Sequence, residues 1–373
     1  EIEEKEEKSE VRGVDVAVAC SLLGGVAFVM AIFYLVNHYD RDIQLSAWEI
    51  VSSTISIFVA VLFFGGVVAT THMLEGSAPH WFMVVAPFMH VLLWYSAMHL
   101  AIGYLCWTTM RHDDASYREP SEEDLCELEC WSTLLAHICA FATIHFGLHI
   151  LSGSWFLQNS FTGFVGTALV FGILFVMFRV SDIVRARLCA ERKNVLKLWD
   201  ETAEEAENDV GSLALSFLLV QNIVLAVLGR LTEEARKSKE EPVEEKPVSE
   251  ASVWILISTA IAFALLRAGV VYISSMCNKN VHLHTLEYES TAGVDTIWDY
   301  VKRWIFILQY VISMCFAWSL LFAITWQAGR LLGPLGPMAT QTDAREALVA
   351  TLVSIVAFAG IFTLDYLGDT AGG

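Results

Sequence analysis

Five of the eleven histidines in this 373-residue chain fall in two neighbouring apolar stretches. His90 and His99 lie in 81–107; His137, His145 and His149 lie in 131–157. Imidazole titrates near neutral pH and ligates metals through either ring nitrogen, so histidines held away from water suit a proton relay, a pH sensor or a metal centre. His145 and His149 are spaced i,i+4 and share one helical face. That spacing aims both rings at one ion, with His90 as the third member of a metal set, His90, His145 and His149. His90 and His99 are nine residues apart, about half a turn around a helix from each other. They cannot both face the next stretch, which argues against two stacked bis-histidine haems between one helix pair.

Helical rise sets the depths. His99 and His137 fall roughly 12 and 9 Å from the end that the two stretches share, and His90, His145 and His149 roughly 25, 21 and 27 Å from it. The expectation is an outer pair and an inner trio. A plain packing role competes with both, because a neutral imidazole hydrogen-bonded to a serine or a carbonyl also ties helices together. Three charged residues join the candidates. Arg179 and Asp182 are i,i+3 near the end of the fifth stretch and suited to neutralise each other. Arg267 lies about 14 Å from the nearer end of the seventh, a candidate for an anion or for a structural pair.

The elements that carry these residues are long and apolar. Nine stretches qualify: 14–36, 47–70, 81–107, 131–157, 163–184, 210–229, 252–276, 297–327 and 344–367. A helix needs roughly 20 apolar residues to cross a bilayer. The chain is 55% hydrophobic and 17% charged, against about a quarter charged in ordinary soluble domains. Continuous hydrophobicity also excludes an outer-membrane barrel, whose strands alternate. Trp48, Trp81, Trp107, Trp131, Trp155, Trp254, Trp298 and Trp326 stand at or near proposed ends, where indole prefers the headgroup level. The expected fold is therefore an all-α, polytopic integral membrane helix bundle of about nine transmembrane helices, with the lipid bilayer as its surroundings.

The organisation predicted along the chain is an acidic tail over 1–13, helices one to five over 14–184, and a charged helical extension over 185–209. A sixth crossing follows over 210–229, re-entrant if Gln221 and Asn222 break it. Then come a disordered charged linker over 230–251 and helices seven to nine with a tail over 252–373. Matching aspartates after spans one, five and nine (Asp40, Asp182 and Asp365) hint at a 4+4+1 internal repeat. Stripes of small residues, Ser52–Ser56–Ala60 and Cys139–Thr143–Gly147, mark expected helix contacts. Basic clusters at 185–197 and 230–246 flank the sixth span and compete for the cytoplasmic side. The opening residues carry neither a signal-peptide nor a transit-peptide pattern, and the native start is expected upstream.

Net charge is −19, which excludes nucleic acid as a partner, since phosphate backbones call for basic surface. The acid lies outside the spans, as solvated loops or as a field that concentrates cations near a pore mouth. Eight cysteines form no zinc-type pair; Cys126 and Cys130, near Cys106, are candidates for a disulfide or for free thiols. A retinal Schiff base would need a lysine in the last helices, where only Lys302 stands, at an entrance. Intramembrane aspartyl proteases share the helix number, but Tyr39-Asp40 and Leu367-Gly368-Asp369 are misplaced and no Pro-Ala-Leu exists. Ser152-Gly153-Ser154 is a poor match to a rhomboid nucleophile.

The function expected is a channel or transporter for a small ion, proton or other cation, rather than an enzyme. His90, His99, His137, His145, His149, Arg179, Asp182 and Arg267 are its candidate residues. The alternatives are a non-catalytic subunit of a larger membrane complex, or a homo-oligomer, and a membrane haem or metal redox protein. No cofactor is favoured.

Overall fold

A computed structural model describes residues 26, 29–75, 80–110, 122–190, 192–229, 248–285 and 297–332. Seven long helices fill these ranges: α1 (Arg41–Glu75), α2 (His80–Thr109), α3 (Glu122–Leu151), α4 (Ser160–Leu188), α5 (Lys193–Leu228), α6 (Glu250–Thr285) and α7 (Ile297–Leu332). All seven are long and apolar enough to cross a membrane. They correspond to the second through eighth expected spans, and the chain is a multi-pass integral membrane protein. Residues 29–36 are helical and belong to the first span. Most of that span, the ninth span at 344–367 and the linker over 230–247 lie outside the described residues.

Two compact units separate, with the division after Ile55. The described part of the first is residue 26 and 29–55, where Leu35, Ile43 and Ala47 make a small apolar core and Gln44 Nε2 donates to the Val36 carbonyl at 2.9 Å. The second unit carries the bundle.

Within the bundle α5 is the central element. In its most apolar window 78% of residues are covered, against 17% in the corresponding window of α6. It packs against α2, α3, α4 and α7. The expected separate pieces, an extension over 185–209 and a crossing over 210–229, are divided differently. Residues 185–188 close α4, a short connection follows, and 193–228 form one unbroken helix of 36 residues. Gln221 and Asn222 lie within this helix, and both side chains are fully buried.

Local signals set these boundaries. Asn159 caps α4: its side chain accepts from the Thr162 amide, and the Thr162 hydroxyl accepts from the Asn159 amide in return. Gly229 ends α5 with φ of 67°, the left-handed conformation that glycine adopts without steric cost. The small-residue stripe of α3 is a contact face. Cys139 and Thr143 are buried, and a Cβ on Gly147 would come 2.5 Å from Leu218 of α5. Trp48, Trp107, Trp131, Trp155 and Trp254 are exposed at or near the expected span ends.

Short connections make consecutive helices antiparallel. The C-terminus of α2, the N-terminus of α3, the C-terminus of α4 and the N-terminus of α5 therefore share one end of the bundle, called here the near end. Arg192 stacks over the Trp107 ring there, 3.8 Å from its centroid. Cys106, Leu128, Cys189 and Val195 from all four segments meet in one apolar cluster. By the 1.5 Å rise α5 is roughly 54 Å long, well beyond the roughly 30 Å hydrocarbon thickness. Its charged first half therefore extends past the hydrocarbon at the near end.

Candidate functional site

The densest polar constellation in the described residues lies inside the near end, where α2, α4 and α5 meet. Tyr95 and His99 are i,i+4 and share a face of α2. Ser181 and Arg185 are likewise i,i+4 on α4, with Asp182 one residue on from Ser181. Asp200 and Glu207 are seven residues apart, two turns along one face of α5. Helical periodicity thus turns three faces into one pocket of polar side chains.

Glu207 is its innermost member, with 0% of its surface exposed. One carboxylate oxygen, Oε1, accepts from the Tyr95 hydroxyl at 2.7 Å and from Arg185 Nη1 at 3.2 Å, and lies 3.3 Å from His99 Nε2. Arg185 is 3% exposed and spends its donors on four partners. Nε reaches Asp200 Oδ1 at 2.7 Å, Nη2 reaches Asp182 Oδ1 at 2.6 Å, and Nη1 reaches Ser181 Oγ at 2.7 Å as well as Glu207. Ser181 Oγ is 3.2 Å from His99 Nε2, and the rings of Tyr95 and His99 meet edge-on at 4.4 Å. Phe178 stacks on the other side of Tyr95 at 6.0 Å.

Solvent contact is graded along this chain of groups. The Asp200 side chain is 46% exposed and that of Asp182 30%, while Arg185 and Glu207 are sealed. The arrangement therefore runs from water at the near end to a dry carboxylate. Burying an ionised carboxylate costs several kcal/mol unless opposite charge and hydrogen bonds compensate, which is the role of Arg185, Tyr95 and His99.

Arg185 and Arg179 face Asp182, Asp200 and Glu207, with Arg179 Nη1 at 3.6 Å from Asp182.

The sequence-derived candidates divide sharply on this geometry. His99 and Asp182 belong to the cluster, and Arg179 borders it. The expected pairing of Arg179 with Asp182 is present, but Arg185 holds Asp182 more closely. His99 and His137, the expected outer pair, face different partners: His137 Nδ1 lies 2.9 Å from Ser56 Oγ of α1. The inner trio does not form a metal set. Phe64 of α1 packs edge-on against both His90 and His145, at 6.3 and 6.0 Å between centroids. Among the described residues no three His, Cys, Asp or Glu side chains are grouped to hold a metal, and His149 completes no such group. His90 Nε2 is 3.4 Å from Thr71 Oγ1. Arg267 stands apart on α6; among the described residues its Nη1 is buried with no hydrogen-bond partner. The six described cysteines are all free, with Cys126 and Cys130 exposed and Cys106 buried, so the suggested disulfide is absent among them.

Arg185, Glu207 and Asp200 escaped the sequence reading because 185–209 looks like a solvated charged segment, and Tyr95 because it is one aromatic among many in an apolar stretch. The available signal was spacing. Asp200 and Glu207 fall on one face beside the small residues Ala203 and Ala206, both buried, and the acidic run passes without a break into an apolar helix.

Comparison with known families, with curated proteins and with solved structures finds no match for this chain. Fold and site therefore define the class, a polytopic helical membrane protein with a buried ionic cluster at one end of its bundle.

Proposed function

We propose that this chain is a membrane channel or transporter for a small ion, a proton or another cation, with the Glu207 cluster as its ion-handling centre. One observation carries the reading: a carboxylate with no solvent exposure, hydrogen-bonded to Tyr95 and paired with Arg185, at the inner end of a charged cluster whose outer carboxylates, Asp182 and Asp200, are partly exposed. Ionisable groups buried in membrane bundles commonly mark ion pathways and proton relays. The core beyond the cluster supports the same reading. α5 buries Asn208, Ser212, Ser216, Gln221 and Asn222 along roughly 21 Å of its length, so the most covered helix also brings polar groups through the bundle. His99, Asp182 and Arg179 are the histidine and charged residues retained from the sequence reading.

The test is flux into liposomes reconstituted with the full chain, followed with dyes for protons and for metal cations. Glu207→Gln keeps the side-chain shape and removes the charge, and it is expected to abolish most of the flux. Unchanged flux in Glu207→Gln would take the cluster out of the mechanism. A second reading, a non-catalytic subunit of a larger assembly, draws on the thin coverage of α1 and α6, at 17% of each apolar window. It expects no flux from the purified chain and stable association with a partner.

A further inference from the structure

We infer that the ion handled at Glu207 is a proton, exchanged between His99 Nε2 and Glu207 Oε1, and that the same geometry refuses metal cations. This rests on the transport reading above and narrows it to one substrate.

The argument is about which atoms surround the carboxylate. Sodium, potassium or calcium sheds water only where several oxygen lone pairs replace it at coordination distance. Glu207 Oε1 is surrounded by hydrogens. The Tyr95 hydroxyl donates at 2.7 Å, Arg185 Nη1 donates at 3.2 Å, and His99 Nε2 stands at 3.3 Å. A metal ion placed there would displace these donors and come against a guanidinium that cannot lose its charge. Arg185 cannot swing away cheaply, because Asp182 and Asp200 hold its other nitrogens and Ser181 shares Nη1. A proton has neither difficulty. It needs one lone pair, and His99 Nε2 stands within reach of Oε1 at 3.3 Å.

The exchange moves one proton. On His99 it forms an imidazolium beside the Glu207 carboxylate. Passing to Oε1, it leaves a neutral imidazole and a neutral carboxyl, the N–H bond breaking as the O–H bond forms. Other titratable and charged groups bear on the pair. They are Tyr95 on α2, Arg179, Asp182 and Arg185 on α4, Asp200 on α5, and Cys139 on α3. Asp200 and Asp182 are the more exposed members of the cluster.

The full chain in liposomes tests this with four separate probes: a pH dye, and dyes for sodium, potassium and calcium. Proton flux above empty vesicles, with none of the three metals moving, is the expected result. Glu207→Gln is expected to lower that flux about 100-fold, the size of effect that loss of a positioned proton-transfer group produces. His99→Asn is expected to do the same, and Tyr95→Phe to lower it several-fold less. These two keep the inference testable if Glu207→Gln does not fold, as judged by elution volume and helical circular dichroism. An infrared readout separates proton carriage from mere structure: a pH-dependent carboxyl band present in the parent and absent in Glu207→Gln. Metal flux that Glu207→Gln abolishes would overturn the proton assignment and leave the transport reading standing. No flux of any of the four ions would overturn both.

Discussion

His90 and His99 stand nine residues apart on the same helix, in stretches of similar hydrophobicity, and meet opposite surroundings. His99 faces a carboxylate, a guanidinium-bound serine and a tyrosine edge. His90 faces the ring of Phe64 and the hydroxyl of Thr71. Residue type is alike for the two, their depths differ by roughly 13 Å, and the opposing helix face gives each its surroundings. α2 turns one side toward α4 and α5, which bring charge, and another toward α1, which brings aromatic and small side chains.

Substitutions can break this comparison, and the largest effects belong to the charged end. Arg185→Ala leaves Asp182, Asp200 and Glu207 without their shared cation. Unfolding in detergent should show a loss of about 3–5 kcal/mol, as for other buried pairs that lose one partner. An equal loss from His90→Ala would end the distinction between the two regions. Next in size is Gly163→Ala. A Cβ there would meet Asn222 Oδ1, whose amide nitrogen is bound to Thr167 Oγ1 at 2.7 Å. Overpacking of this kind costs about 1–3 kcal/mol, and the same unfolding measurement reads it.

Tyr95→Phe removes the shortest hydrogen bond to Glu207 and should cost about 1.5–3 kcal/mol, within the range for bonds to charged groups. The double variant Tyr95→Phe with Glu207→Gln sharpens the assignment. Its combined loss should fall short of the sum of the single losses, because both remove one interaction. The mildest outcome is expected on the other side of α2. His145→Ala with His149→Ala should leave ion flux within about two-fold of the parent, since the His145 ring packs on Phe64 and not in the Glu207 cluster. A large fall in flux would return the site to the histidine trio.

Thiol labelling gives a check on the near end that needs no flux. Cys126 and Cys130 are exposed on α3 and should react first with a maleimide in the folded protein. Cys189, in the connection between α4 and α5, is buried, and burial together with the nearby Asp200 pushes its thiol up from the ordinary value. Less of it is thiolate at neutral pH, so its labelling should be slower and should rise at higher pH than that of an ordinary thiol. Labelling of Cys189 as fast as Cys126 would mean that the near end opens readily.

Hydrophobicity by itself determined the helical membrane fold, because about 20 apolar residues in water have few other fates. It also determined where the described helices run, where tryptophan marks their ends, and that Cys139, Thr143 and Gly147 form a contact stripe. The histidine band was equally visible, yet its division was misjudged, since depth along a helix says nothing of what the neighbouring helix presents. Only the tertiary structure decided that residues 193–228 are one helix at the centre of the bundle. Only it turned Arg185, Asp200 and Glu207 from members of a solvated charged run into a sealed cluster. The physical reason is that a charge's cost depends on its partners, and those partners stand on α2, α4 and α5, up to 112 residues apart in the chain.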